Sequence, residues 1–155
     1  IQSGAWIKSL YDLMIDGTVL LIDYGMTEAE YFHPQRVEGT LKCFSNHKSS
    51  DNPFIHIGKQ DITASVNFSN IASIAKEIGF DISGYTTQSM FLISLGIDNY
   101  LKNEENEEKK VKIAQEIKQL VLPGTMGEVF KVMALSKKQS VKLKGFKELD
   151  LTNRL

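Results

Sequence analysis

One cysteine, Cys43, is all the thiol chemistry that 155 residues offer. It excludes an internal disulfide, and without CxxC spacing nothing supports a structural zinc knuckle; a reducing compartment suits such usage best. Long apolar runs are also missing. Stretches such as Val19 to Ile22 fall far short of the roughly 20 residues that a membrane-spanning helix needs. Neither sign of charge dominates: 18 basic and 19 acidic residues leave a formal net charge of −1. No global field therefore recruits nucleic acid or an anionic membrane, and partners must be recognised locally. Walker loop, GxGxxG turn, GxSxG elbow and HExxH helix are all absent, which excludes a self-contained nucleotide enzyme and a serine hydrolase of the usual pattern. The chain opens on Ile1-Gln2-Ser3, neither a methionine nor a charged signal segment, so we expect it to continue upstream.

What is present reads as an α/β pattern. Trp6, Leu10, Leu13 and Met14 recur at helical spacing, Asp16-Gly17 supplies a turn, and Thr18 to Asp23 reads as a strand. Consecutive apolar residues in that strand predict that both its faces are covered, as in the middle of a parallel sheet. From Met26 to Val66 periodicity fades, and such a long irregular stretch inside a domain suggests a function. Asn67 caps a predicted helix with the stripe Phe68, Ile71, Ala72, Ala75 and Ile78, closed by Gly79. Asp81 to Thr87 reads as a more polar strand nearer a sheet edge. Met90, Phe91, Ile93 and Leu95 suggest a short buried helix. A longer one follows to Pro123, with i,i+4 pairs Glu105/Lys109 and Glu108/Lys112 on a solvated face. Val129 to Leu135 is a third strand, apolar except at Lys131, and a lysine-rich tail follows from Lys137. The units are then a helix and strand at 1–25, an insertion at 26–66, a helix and strand at 67–87, a helical insertion at 88–123, a last strand at 124–136 and a basic tail at 137–155.

In open α/β sheets, ligands bind beyond the carboxyl ends of the strands, where loops converge. Asp23, Thr87 and Gln88 lie at such ends. A carboxylate following a buried strand is costly unless a donor or cation meets it, which makes Asp23 a candidate for chemistry or for a structural bond. Gly25 permits an unusual backbone angle or a ligand's close approach. The irregular segment gathers Tyr31, His33, Arg36, His47, Asp51, His56, Gln60, Asp61 and Thr63. His47 or Asp61 could act as a general base; Asp61 could equally bond backbone amides in a turn. The three histidines with Asp51 or Asp61 are of types that suit zinc or iron, but their spacing fits no short metal motif, and we assign no metal.

The series Leu21-Ile-Asp-Tyr-Gly25, Tyr31-Phe-His-Pro-Gln-Arg36, Gly39-Thr-Leu41, His47, Asp51-Asn-Pro53 and Gln60-Asp-Ile-Thr-Ala64 resembles, in order and spacing, the MidA-like S-adenosylmethionine-dependent methyltransferases. Later blocks extend the likeness to about Leu135: Val66-Asn-Phe68, Gly84-Tyr-Thr-Thr-Gln88, Leu122-Pro-Gly124, Met126-Gly127 and Phe130-Lys-Val132. The resemblance implies the C-terminal portion of a class I, Rossmann-like methyltransferase sheet with helical and loop insertions. In that frame Val19 to Asp23 is the fifth strand, Ile82 to Thr87 the sixth and Val129 to Leu135 the antiparallel seventh.

It further implies S-adenosylmethionine as cofactor, its glycine-rich loop lying upstream of Ile1, so no cofactor-binding residue is assigned in this chain. Asp23, His47 and Asp61 become catalytic candidates, and Tyr24, Gly25, Gln60, Thr63 and Gln88 substrate-binding candidates. Eukaryotic relatives methylate a protein arginine during assembly of respiratory complex I. A protein substrate is implied, the missing N-terminal half of the same protein is the expected partner, and neither nucleic acid nor membrane is. The location would be cytoplasmic in a bacterium and mitochondrial in a eukaryote. Ser65 stands where many relatives have His, and Asn67 where many have Asp. The alternative is a non-catalytic protein-binding or assembly module on the same fold.

Overall fold

The computed structural model describes residues 2–46, 48–124, 126–138 and 142–155. Helix α1 (Gln2–Leu13) leads into β1 (Gly17–Met26), and a one-turn α2 (Glu28–Tyr31) follows. Three short strands come next, β2 (Lys42–Ser45), β3 (Lys48–Ser50) and β4 (Asp61–Thr63), then β5 (Val66–Asn67), α3 (Phe68–Ile78) and β6 (Asp81–Thr87). Helices α4 (Gln88–Ser94), α5 (Asn99–Lys102), α6 (Glu107–Val121) and α7 (Met126–Val129) precede β7 (Phe130–Lys137), and 3-10 turns occupy Lys144–Phe146 and Thr152–Arg154.

The main sheet runs β5-β1-β7-β6. β7 is antiparallel to both neighbours, pairing Gly17 to Tyr24 of β1 on one edge and Asp81 to Thr87 of β6 on the other. The antiparallel direction of β7 is what the family resemblance implies for the last strand. The setting of β1 differs from expectation. Its parallel neighbour β5 pairs only with Gly25 and Met26, and Leu20 and Ile22 stay 42% and 50% exposed. Apolar residues thus stand on both faces of β1, but the described residues cover only the face carrying Val19 and Leu21.

On that face Ile7, Phe68, Ala72, Ala75, Phe80, Tyr85, Met133 and Leu135 form the larger core. The α1 stripe is rotated from the expected one. Ile7 is fully buried with Leu10, Tyr11 and Met14 packed beside it, whereas Trp6 and Leu13 face outward. α3 forms as its signals predict: Asn67 Oδ1 accepts the Asn70 amide at 3.0 Å, and Gly79 ends the helix at φ 115°. Such a cap satisfies one orphan amide, and left-handed backbone favours glycine.

The opposite face carries Val132, Ala134 and Phe146, with Phe91 of α4 against them. Gly84 and Gly145 make this packing possible: a Cβ on Gly84 would lie 2.3 Å from the Phe146 ring, and one on Gly145 2.1 Å from Phe91. The lysine-rich C-terminal segment is therefore folded onto the sheet, because Phe146, Leu151 and Leu155 supply apolar anchors between its charges. Three further expectations need correction. The 26–66 segment holds α2 and a three-stranded antiparallel sheet, β3-β2-β4, beside β5. In α4, Ile93 and the following Leu95 are half-exposed, so Phe91 is the residue that carries the contact. The ion pair described on α6 is Lys110–Glu107 at 2.7 Å; Glu105 precedes the helix and cannot contribute an i,i+4 rung.

Candidate functional site

The carboxyl end of β1 opens into a cleft of ≈ 280 Å³ lined by Gly25, Met26, Glu30, Arg36, Ser65 and Lys131, among others. A second hollow of ≈ 510 Å³ shares Glu30 and Arg36 and extends past His33 to Lys42. Local structure explains why charge collects here. The sequence Thr27-x-x-Glu30 returns the Glu30 carboxylate to the start of α2, where Oε2 accepts from the Thr27 amide at 2.9 Å and its hydroxyl at 3.0 Å. Burial alone would push the Glu30 carboxyl up. The Thr27 bonds and the charges of Lys131 and Arg154 outweigh it, holding the group below the ordinary carboxylate range and therefore ionised.

Lys131 enters from β7, in register with Asp23 on one side and Thr87 on the other. Cross-strand partners share a face, so its side chain rises over Met133 and Tyr85 at the top of the core. Its Nζ donates to the Glu128 carbonyl. Desolvation lowers its pKa, and the charges of Glu30 and Glu128 only partly restore it. Arg36 is anchored through Nε, which donates to the Glu30 carbonyl at 3.3 Å. Among the described residues neither Arg36 nor Lys131 has a carboxylate within ion-pairing distance.

Several expected site residues meet at this end of β1. Thr63 Oγ1 donates to the Tyr24 hydroxyl at 2.6 Å, joining the small sheet to β1, while the Tyr24 ring stands edge-on to Phe130 at 5.2 Å. Asp23 is exposed, and its Oδ1 accepts the Tyr24 amide at 2.8 Å, as a local structural bond would. Gly25 is buried, and the room a Cβ needs is filled by the Val66 carbonyl, 2.4 Å away, and the Phe68 ring. Protein packing thus requires glycine there, and the backbone angle is ordinary.

Others lie elsewhere or serve the scaffold. Asp61 sits exposed on β4, in strand rather than turn, opposite Phe44. Gln60 Nε2 donates to the Pro53 carbonyl at 2.7 Å beside the hollow at Cys43, and Gln88 Nε2 donates to Leu120 at 3.2 Å, tying α4 to α6. His47 lies outside the described residues. Asp51 pairs with Lys42, and the His33 ring accepts the Gln35 amide at 3.3 Å. Among the described residues no three His, Cys, Asp or Glu side chains converge as metal ligands. No described helix is long and apolar enough to cross a membrane.

Glu30 and Lys131 were not among the sequence candidates, although both left a trace. Glu30 completes the Thr27-x-x-Glu pattern, and Lys131 is the charge interrupting an apolar strand.

Residues 1–86 match the model of a family described as "Putative S-adenosyl-L-methionine-dependent methyltransferase". The chain belongs to this family. Its structure superposes on a COG1565 superfamily member from Burkholderia thailandensis bound to S-adenosyl-homocysteine, with TM-score 0.92 and 34% identity over 98% of the present chain. A native structure of a COG1565 superfamily protein from the same organism gives TM-score 0.93, also at 34% identity. The chain spans 40% and 41% of the lengths of these two methyltransferase-fold structures. No curated protein matches the chain.

Proposed function

We propose that the chain is the C-terminal, acceptor-side part of a MidA-like methyltransferase that moves a methyl group from S-adenosylmethionine to a protein side chain such as arginine. The observation that carries this reading is the charged cleft at the carboxyl end of β1, in a chain of a methyltransferase family and fold. Methyl transfer needs little chemistry from the protein beyond holding donor and acceptor in line. Glu30 is the carboxylate in that cleft suited to a guanidinium. It is ionised, only its Oε2 is engaged with Thr27, and a planar guanidinium favours carboxylates as partners. Asp23, Asp51 and Asp61 suit the role less well: none lines this cleft, Asp23 bonds its neighbour's amide and Asp51 pairs with Lys42.

Among the described residues the edge of β1 away from β7 is unpaired from Gly17 to Tyr24, and with the exposed Leu20 and Ile22 this supports a further strand and covering elements from the N-terminal half of the same protein, with the cofactor loop there. On this reading the chain by itself is inactive. The parent protein is expected to transfer label from S-adenosyl-[methyl-³H]methionine to protein in an extract, and Glu30→Gln to lower the rate at least tenfold, about 1.4 kcal/mol. Unlabelled protein after incubation with a folded, cofactor-loaded parent would refute the reading.

A further inference from the structure

The cleft contains more than one carboxylate can explain. Glu30 has its cap partners, but Arg36 and Lys131 line the same cleft from opposite elements, a loop after α2 and a central strand, and neither has an ion pair among the described residues. Arg36 uses Nε on a backbone carbonyl, so the outer edge of its guanidinium remains for a two-pronged contact. Lys131 spends one donor on the Glu128 carbonyl and has two more. Lys131 is half-buried with no carboxylate in direct contact among the described residues, and Glu30 and Glu128 offset its desolvation only in part; an incoming anion offsets more of that cost. Lys42 in the adjoining hollow is already paired with Asp51, so Arg36 and Lys131 are the two cations of these spaces left without a contact ion pair among the described residues.

We propose that Arg36 and Lys131 hold an acidic side chain adjacent to the methyl-accepting residue, so that this site selects acceptors in an acidic local sequence. This rests on the preceding reading that the cleft receives a protein side chain. A basic acceptor lies against Glu30 while a neighbouring Asp or Glu reaches the two cations, and the recognised unit is thus a bipolar stretch of peptide.

The test uses the parent protein with labelled S-adenosylmethionine and a whole-protein extract, followed by digestion and mapping of methylated residues by mass spectrometry. Asp and Glu within two positions of the methylated residue are expected about fivefold to tenfold above their background frequency, the discrimination of a charge-assisted contact. Lys131→Met and Arg36→Gln should each reduce that enrichment, and Lys131→Glu should turn it toward Lys and Arg. Methylated sites without acidic enrichment in the unaltered protein overturn this inference and leave the methyltransferase reading standing. Absence of any methylated site overturns both.

Discussion

The Thr63 hydroxyl donates to the Tyr24 hydroxyl across 2.6 Å, and through this bond the small β3-β2-β4 sheet is tied to the carboxyl end of β1. The two residues lie 39 apart in sequence, so the bond fixes where the insertion sits over the cleft. Tyr24→Phe and Thr63→Val are each expected to lower stability by about 1 kcal/mol, the net worth of a part-buried hydrogen bond. In a double-mutant cycle the second change should cost almost nothing once the first is made. Additive losses would show that the hydroxyls do not act as a pair.

Gly84 and Phe146 interlock on the opposite face, where an added Cβ meets the ring at 2.3 Å. Gly84→Ala is expected to destabilise by about 1–3 kcal/mol through overpacking. Phe146→Ala should itself cost about 3–5 kcal/mol, yet the double variant should lose less than the sum, because the truncated side chain makes room for the methyl. Urea midpoints of the four proteins measure this.

Tyr85 is 1% exposed and its hydroxyl has no hydrogen-bond partner among the described residues. Desolvation, aided by the Glu30 charge, raises its pKa above the usual 10.0. The unfolded chain therefore releases this proton first, and stability is lost as pH climbs above about 10. Tyr85→Phe should add roughly 1 kcal/mol at neutral pH by removing an unsatisfied buried hydroxyl, and should soften the alkaline loss. Thermal melts at pH 7 and pH 10.5 compare the two proteins.

Lys131 gives the opposite pH sign. Desolvation holds its folded pKa below 10.5, so the folded state carries a penalty at neutral pH that fades as pH rises toward 10.5. Lys131→Met should melt higher than the unaltered protein at pH 7, with the gap narrowing as alkali neutralises lysine in both folded and unfolded chains. A gap that does not narrow would contradict the desolvated-cation account.

Much of this fold can be read from local signals. Asn67 and Gly79 bracket α3 because a side-chain cap and a left-handed residue act within four positions of the helix ends. The antiparallel β7 was read through family likeness, since strand direction is a long-range property that Phe130 to Lys137 do not encode locally. The small sheet was illegible because three- and four-residue strands such as Lys48-Ser-Ser50 carry no alternation to detect. At the site, Asp23 drew notice through its position after an apolar strand, yet it bonds its neighbour's amide. Glu30 and Lys131 lie 101 residues apart by their numbering, and only the pairing of β7 with β1 brings them to one cleft.

On the proposed function, this chain forms the acceptor side and cofactor binding falls to the N-terminal half of the parent protein. Calorimetric titration with S-adenosylhomocysteine, on the parent protein and on residues 1–155 shown to be folded by circular dichroism, tests it directly. Micromolar binding by the parent and none by the 155-residue chain is the predicted result. Equal binding by the chain alone, or none by the parent, would contradict it.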